Sequence, residues 1–162
     1  FVLPMPTAGM QALADCLGAR DDAFAQQQAA RLRQLGHDTL RGFLTGFVDL
    51  VAEHDGRYWV LDWKSNHLGP TTSAYHPDAL LQAMLAHDYV LQYHLYVLAL
   101  HRHLRQRLPA YDPARHLGGV AYVFLRGVEP GTARGLFVDR VPAELVLAMD
   151  RWVAGDEREG AR

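Results

Sequence analysis

Apolar residues recur at helical spacing between residues 10 and 36, which predicts a helix that Gly18 can interrupt. Residues 42–54 and 58–64 instead carry aromatic and β-branched side chains, so each segment is predicted to be a strand. Between them, His54-Asp55-Gly56-Arg57 has the composition of a tight turn. The two strands are therefore expected to pair antiparallel.

In the second half of the chain, the spacing of apolar residues is first helical, then typical of strands, and then helical again. After a loop at residues 65–77, helical spacing continues from Asp78 to Leu108, as one long helix or two abutting ones. Residues 118–126 have the apolar composition of a buried strand, and residues 135–139 form a candidate further strand. Pro142 then opens a last helix that ends near Val153.

This order of elements predicts an α/β fold with a central mixed β-sheet flanked by helices. The core is placed at residues 42–154, after an extended segment and helix at residues 1–41 and before a polar tail at residues 155–162. The chain opens at Phe1 without an initiator methionine, and its first residues do not have the composition of a signal peptide. We therefore expect a terminal module of a longer protein.

Composition limits the class of protein. A chain of 162 residues that is 49% hydrophobic fits one globular domain. No apolar run approaches the roughly 20 residues that cross a membrane, so a membrane-spanning helix is excluded. We expect a cytoplasmic protein with no membrane partner. The single cysteine, Cys16, excludes an internal disulfide and a cysteine-based zinc site. A net charge of −2 excludes binding of nucleic acid by bulk positive charge alone.

Three residues of the predicted hairpin carry candidate chemistry. Asp62 and Lys64 are two apart on one strand and share a face, and Asp49 lies on the partner strand. Two carboxylates suit Mg²⁺, and a lysine beside them can position a water for attack on phosphorus. Lys64 is the only lysine among the 16 basic residues, which favours a chemical role. A simple ion pair between Asp62 and Lys64 explains the spacing equally well.

A polar stripe follows on the predicted long helix. Tyr89, Gln92, Tyr93 and Tyr96 stand three or four residues apart and so share one face. Packing of the tyrosines in the core is the favoured interpretation. Hydrogen bonds to a DNA backbone, or stacking on bases, are the alternative.

The nine histidines do not form a convincing metal motif. His87, His94 and His101 are seven residues apart, whereas a helical two-ligand site needs a spacing of three or four. Core or solvated histidines are favoured over a zinc-binding module.

The arginines at 102, 105 and 107 are assigned to a solvated face, with a phosphate-binding patch as the alternative. The chain also lacks the G-x-S-x-G, P-loop and G-x-G-x-x-G motifs.

Four segments together resemble the RecB-like nuclease domains of the PD-(D/E)XK superfamily. They are GFLTGFVDLV at 42–51, YWVLDWKSNHLG at 58–69, LQYHLYVLALHRHL at 91–104 and GGVAYVFLRG at 118–127. Their order and spacing also match that family. The resemblance implies a restriction-endonuclease-like core and Mg²⁺-dependent phosphodiester hydrolysis.

The resemblance also implies a role for each matching residue. Asp49 and Asp62 would bind Mg²⁺, with the Trp63 main-chain carbonyl as a further ligand, and Lys64 would be the catalytic lysine. A second group would support the site and contact DNA: Gln92, Tyr93 and Tyr96.

The same resemblance implies a biological setting. RecB-like nuclease domains act on single- and double-stranded DNA in helicase-nucleases of the RecBCD type, with RecC, RecD and RecA as partners, in break repair and recombination. ATP would serve only the helicase part of the parent protein.

One metal ligand implied by the resemblance has no counterpart among the matching residues. The family carries a further metal ligand on a helix well upstream, and His37 is the only histidine between Phe1 and Asp49. We therefore expect an N-terminally truncated domain that lacks this ligand, for which a catalytically inactive docking or DNA-channel module is the alternative function.

Overall fold

The computed structural model describes residues 1–5, 9–20, 23–34 and 42–155. The elements follow in the order β1 (Val2–Met5), α1 (Gly9–Gly18), α2 (Ala23–Gln34), β2 (Gly42–Thr45), β3 (Leu50–His54), β4 (Arg57–Lys64), a 3₁₀ turn (Thr72–Tyr75), α3 (Pro77–Ala86), α4 (Tyr89–Arg107), α5 (Pro113–His116), β5 (Leu117–Phe124), β6 (Leu136–Asp139) and α6 (Ala143–Ala154).

The main sheet contains four strands in the order β3-β4-β5-β6. β3 and β4 form the predicted antiparallel hairpin, whose turn residues Asp55 and Gly56 have φ angles of 51° and 72°. β5 lies parallel to β4 and antiparallel to β6. A parallel pair requires a crossover connection, and α3 and α4 lie within it. The predicted mixed sheet flanked by helices is confirmed.

One face of this sheet forms the core together with α4. Alternation along β4 directs Val60, Asp62 and Lys64 to the same face, and all three are buried. Their register partners on β5 include Tyr122 and Phe124, both fully buried. Two charged side chains on this face of β4 therefore lie beside apolar and aromatic residues of β5.

The opposite face of the sheet is also apolar, but its side chains remain partly exposed. Leu50 is 42% exposed, Trp63 44%, Leu136 43% and Val138 53%. Trp63 thus faces away from the neighbouring Asp62 and Lys64, as alternation requires.

The prediction of one strand over residues 42–54 is wrong, because the structure divides this segment into β2 and β3. The Gly46 N–H donates to the Phe1 carbonyl at 3.1 Å, and the Phe1 ammonium donates to the Gly46 carbonyl at 2.8 Å. These bonds extend an antiparallel pairing of β2 with β1 in a separate two-stranded sheet. The chain enters the main sheet only at Leu50.

The long helical segment after residue 78 consists of two abutting helices, one of the two predicted alternatives. Asp88 separates α3 from α4 with a φ of 56°, a left-handed conformation that a continuous helix does not allow. Its carboxylate accepts a hydrogen bond from the Arg31 Nε at 2.6 Å, which ties the break to α2. The predicted helix over residues 10–36 is likewise interrupted, since α1 ends at Gly18.

Some predictions fall outside the described residues. They include residues 35 and 36 of the first predicted helix, His37, and residues 156–162 of the polar tail. Among the described residues, no helix has both the length and the hydropathy needed to cross a membrane.

Gly127 lies where the chain leaves β5, and its substitution by alanine is expected to destabilise the fold. An added Cβ would overlap the ring of Tyr75, which is 1% exposed. The Tyr75 hydroxyl donates to the Asn66 carbonyl at 3.0 Å and cannot move without breaking that bond. Overpacking of this kind costs about 1–3 kcal/mol. Chemical denaturation of the wild type and of Gly127→Ala measures the loss.

Gly131→Asn provides the control, because Gly131 has a positive φ of 76° that asparagine tolerates and open space beyond its Cα. A smaller loss for Gly127→Ala than for Gly131→Asn would contradict the packing described for Tyr75.

Candidate active site

The β3–β4 hairpin brings two carboxylates together. Leu50 pairs with Leu61, so Asp49 and Asp62 are the next residues across the hairpin from one another. Asp49 is exposed and its Oδ2 accepts a hydrogen bond from the Trp63 backbone N–H at 2.9 Å. Asp62 is only 3% exposed. One carboxylate therefore faces solvent while the other lies inside the sheet–helix layer.

Burial raises the pKa of Asp62, and the negative charge of Asp49 adds to this effect. The neighbouring Lys64 opposes the increase through an ion pair and a hydrogen bond. The Asp62 carboxylate therefore lies in an environment where a positive charge is strongly stabilising, whether it comes from an ammonium group or from a metal ion.

Lys64 is surrounded on the buried side of β4. Its Nζ forms an ion pair with the Asp62 Oδ1 and donates to the Gln92 Oε1 at 3.0 Å. The same Nζ lies 3.9 Å from the centroid of the Tyr89 ring and 4.9 Å from that of Tyr122. A lysine that is 9% exposed is thus charge-paired, hydrogen-bonded and in contact with two aromatic faces.

The carboxamide of Gln92 connects this lysine to two tyrosines. Its Oε1 accepts from both the Lys64 ammonium and the Tyr122 hydroxyl, the latter at 2.9 Å. Its Nε2 donates to the Tyr96 hydroxyl at 3.0 Å. The amide cannot be turned over without directing its NH₂ group at the ammonium, so this orientation is fixed by donor and acceptor chemistry.

The structure brings most of the predicted site residues together, with one exception. Asp49, Asp62 and Lys64 meet Gln92 and Tyr96 beneath the sheet edge.

Tyr93, which the sequence placed in the same group, instead donates its hydroxyl to the Asp139 Oδ2 at 2.6 Å. The Arg20 guanidinium binds the same carboxylate at 2.9 Å. Tyr93 therefore ties α4 to β6.

Tyr122 was not identified from the sequence. It is the register partner of Asp62 across the parallel β4–β5 pair, so both side chains lie on the same face. Alternation within residues 118–126 shows that Tyr122 faces one side of the sheet, but only the β4–β5 register places it beside Asp62. No local signal could supply that register.

The donor set fits a hard divalent cation. Mg²⁺ is typically held by one or two carboxylates and completes its coordination with water and phosphate oxygens. A cation at this position would offset the burial of the Asp62 carboxylate and its repulsion from Asp49, the two effects that raise the pKa of Asp62. Within the described ranges, no group of three or more His, Cys, Asp or Glu side chains could hold a metal by itself.

Two of the histidines on α4 form hydrogen bonds away from the candidate metal ligands. His94 bonds the Val90 carbonyl through its Nδ1 at 2.7 Å, and His101 bonds the Tyr111 hydroxyl at 3.0 Å. Both are buried in the core, as the favoured sequence interpretation proposed.

A family match accompanies this geometry. The sequence profile of the PD-(D/E)XK nuclease superfamily matches residues 5–158. The chain belongs to this superfamily, whose members generally use a divalent metal.

The relatives it resembles are RecB proteins. The chain is 51% identical to the RecBCD enzyme subunit RecB of Escherichia coli over 123 residues, which is 75% of this chain and 10% of that protein. Identity to the RecB subunit of Haemophilus influenzae is 44% over 116 residues, or 72% of this chain and 10% of that protein. Identity to the RecB subunit of Mycobacterium tuberculosis is 48% over 123 residues, or 71% of this chain and 11% of that protein. The chain thus spans about a tenth of the length of these relatives.

Tyr93→Phe is expected to lower the free energy of unfolding by about 1.5–3 kcal/mol, because it removes a hydrogen bond to the charged Asp139. Chemical denaturation measures the change, and a double-mutant cycle with Asp139→Ala isolates the pair. Tyr58→Phe is the control, since the Tyr58 hydroxyl has no hydrogen bond to the described residues. Additive effects of the two substitutions in the cycle would show that this bond contributes nothing.

The same carboxylate is expected to make stability depend on pH. Burial alone would raise the pKa of Asp139, but hydrogen bonds from Arg20 and Tyr93 outweigh it and hold the pKa below its usual range. An aspartate with a lowered pKa stabilises the fold above its unfolded pKa of about 3.9, and this contribution is lost as the pH falls through the folded pKa.

Denaturation of the wild type and of Asp139→Asn across this pH range measures the contribution. The stability difference between them should be full near neutral pH and shrink in acid. A difference that stays constant down to about pH 2 would contradict the assignment.

Proposed function

We propose that this chain is the Mg²⁺-dependent nuclease domain of a RecB-type subunit, and that it hydrolyses phosphodiester bonds in DNA. The observation that supports this most is the cluster of Asp49, Asp62 and Lys64 with Gln92, on the face of the hairpin that α4 covers. Membership of a nuclease superfamily and similarity to RecB subunits agree with it.

In this proposal the carboxylates of Asp49 and Asp62 hold the metal, with the Trp63 main-chain carbonyl as a further ligand. When bound, the metal polarises the phosphate and supports the leaving oxygen. The Trp63 N–H already fixes the Asp49 carboxylate at 2.9 Å, so this ligand is oriented before any ion arrives. Preorganised ligands of this kind avoid reorganisation during the reaction.

Lys64 acts on the same phosphate through its ammonium group. Lysine is a compact charge on a flexible stem, so it can orient the attacking water or stabilise the charge that develops on phosphate oxygens. Its ion pair with Asp62 competes with these roles. A cation shared by Asp49 and Asp62 would weaken that pair and leave the ammonium available to the substrate.

We infer the wider function from the similar proteins, which are named RecBCD enzyme subunit RecB. We place the domain in a helicase-nuclease that acts on single- and double-stranded DNA in break repair and recombination. RecC and RecD would be its subunit partners, and RecA would be loaded onto the processed strand. ATP would be used by the helicase part, which lies outside this chain.

Lys64→Ala is expected to reduce Mg²⁺-dependent cleavage of end-labelled single-stranded DNA by about a hundredfold or more, since it removes a charge at the reacting phosphate. The assay uses this chain within its assembled subunit, because the resemblance places a further ligand upstream. Fluorescence-monitored unfolding establishes that the variant is still folded.

Arg33→Ala is the matched control, because it removes an exposed cation whose partner is Asp15. Its cleavage rate should equal that of the wild type. Full cleavage by a folded Lys64→Ala would refute the proposed mechanism. An inactive wild type that still binds its partner subunits would favour the docking or DNA-channel module.

A further inference from the structure

Four side chains surround the ammonium group of Lys64: Gln92, Asp62, Tyr89 and Tyr122. One hydrogen bond goes to the Gln92 Oε1 at 3.0 Å, and an ion pair joins it to Asp62. A third side is closed by the ring face of Tyr89, whose centroid lies 3.9 Å from Nζ. The ring of Tyr122 lies at 4.9 Å. Both distances are within the range of a cation–π interaction.

Tyr122 contributes its hydroxyl as well as its ring. The side chain is fully buried, and its hydroxyl donates to the same Gln92 oxygen that accepts from Lys64. Burial and nearby negative charges raise the pKa of Tyr122, so its hydroxyl stays protonated and remains a donor. The bond holds the Gln92 oxygen toward the lysine.

Tyr89 is itself fixed in place on two sides. Its hydroxyl donates to the Asn66 Oδ1 at 3.2 Å, which connects the start of α4 to the loop after Lys64. On its other side, the His87 ring is stacked at a centroid distance of 5.3 Å and an interplanar angle of 24°. The ring therefore presents a fixed face to the ammonium.

We propose that Tyr89 and Tyr122 are positioning residues that hold the Lys64 ammonium beside the phosphate. This inference rests on the proposed function and adds two residues to it. The lysine stem has many rotamers, and fixing it costs up to about 2 kcal/mol of side-chain entropy. The two rings limit these rotamers before substrate binds, and the Tyr122 hydroxyl fixes the amide that directs the ammonium. A displacement of about 1 Å at a reacting group can cost a hundredfold in rate.

Lys64 offers a direct spectroscopic test because it is the only lysine in the chain. Segmental ligation of this chain, labelled with ¹³C,¹⁵N-lysine, into its otherwise unlabelled subunit gives NMR signals from one lysine side chain alone. A ring face this close shifts the ¹Hε signal upfield of free lysine. Tyr89→Leu should move it back toward the free value, and Tyr89→Phe should retain most of the upfield shift. Tyr111→Phe, a tyrosine hydroxyl bonded to His101, is the control that should leave the signal unchanged.

Cleavage kinetics supply the functional half of the test. Tyr89→Leu and Tyr122→Phe are expected to lower kcat by about tenfold or more with KM unchanged, because the reacting group is displaced while DNA contacts remain. Tyr89→Phe should recover most of the activity that Tyr89→Leu loses. Tyr111→Phe should keep wild-type kinetics.

The outcomes separate this proposal from the proposed function. A ¹Hε signal at the free-lysine position in the folded wild type would overturn the positioning role, whatever the nuclease activity. An unchanged kcat in folded Tyr89→Leu and Tyr122→Phe would also overturn it. An upfield signal in a wild type without nuclease activity would overturn the proposed function. It would confirm only that the aromatic rings lie against the ammonium-bearing side chain.

Discussion

The buried pair of Asp62 and Lys64 is the interaction on which the rest of the site depends. Removing two charges from water costs several kcal/mol for each ion, and mutual attraction offsets this only with further hydrogen bonds. Here Gln92 and the ring of Tyr89 supply the remaining contacts of the ammonium. Gln92 and Tyr89 are both residues of α4, so the packing of that helix over β4 supplies these contacts. A buried ion pair of this kind is weak evidence for a stabilising role. The catalytic role proposed for Lys64 explains it better.

Sheet topology turns this pair into a candidate metal site. The hairpin places Asp62 of β4 beside Asp49, which is exposed to solvent at the start of the edge strand β3. The parallel strand β5 places Tyr122 on the other side of Asp62, in the interior. The buried carboxylate of Asp62 thus lies between the exposed Asp49 on one side and the interior, with Lys64 and Tyr122, on the other. One strand pairing brings the two carboxylates together, and the other places Tyr122 beside Asp62.

Much of this arrangement could be predicted from the sequence. The two-residue spacing of Asp62 and Lys64 fixes their common face, and the turn composition of the hairpin places Asp49 opposite them. The sequence did not predict that Gly46 would pair with Phe1 and divide the strand over residues 42–54, since that contact joins distant parts of the chain. Helical spacing also grouped Tyr93 with Gln92. Which residues of so wide a stripe meet Lys64 depends on the rotation of α4 against the sheet, and that is set by packing.

Whether Asp49 and Asp62 hold one metal ion beside Lys64 is tested most directly by paramagnetic relaxation. Mn²⁺ accepts the same oxygen ligands as Mg²⁺, and it broadens nearby NMR signals even when binding is weak. The signal of the single lysine should broaden in a saturable manner, recover on addition of Mg²⁺, and stay sharp in Asp49→Asn and Asp62→Asn. A lysine signal that stays sharp in the folded wild type at millimolar Mn²⁺, or that broadens equally in both variants, would contradict a metal site formed by these carboxylates.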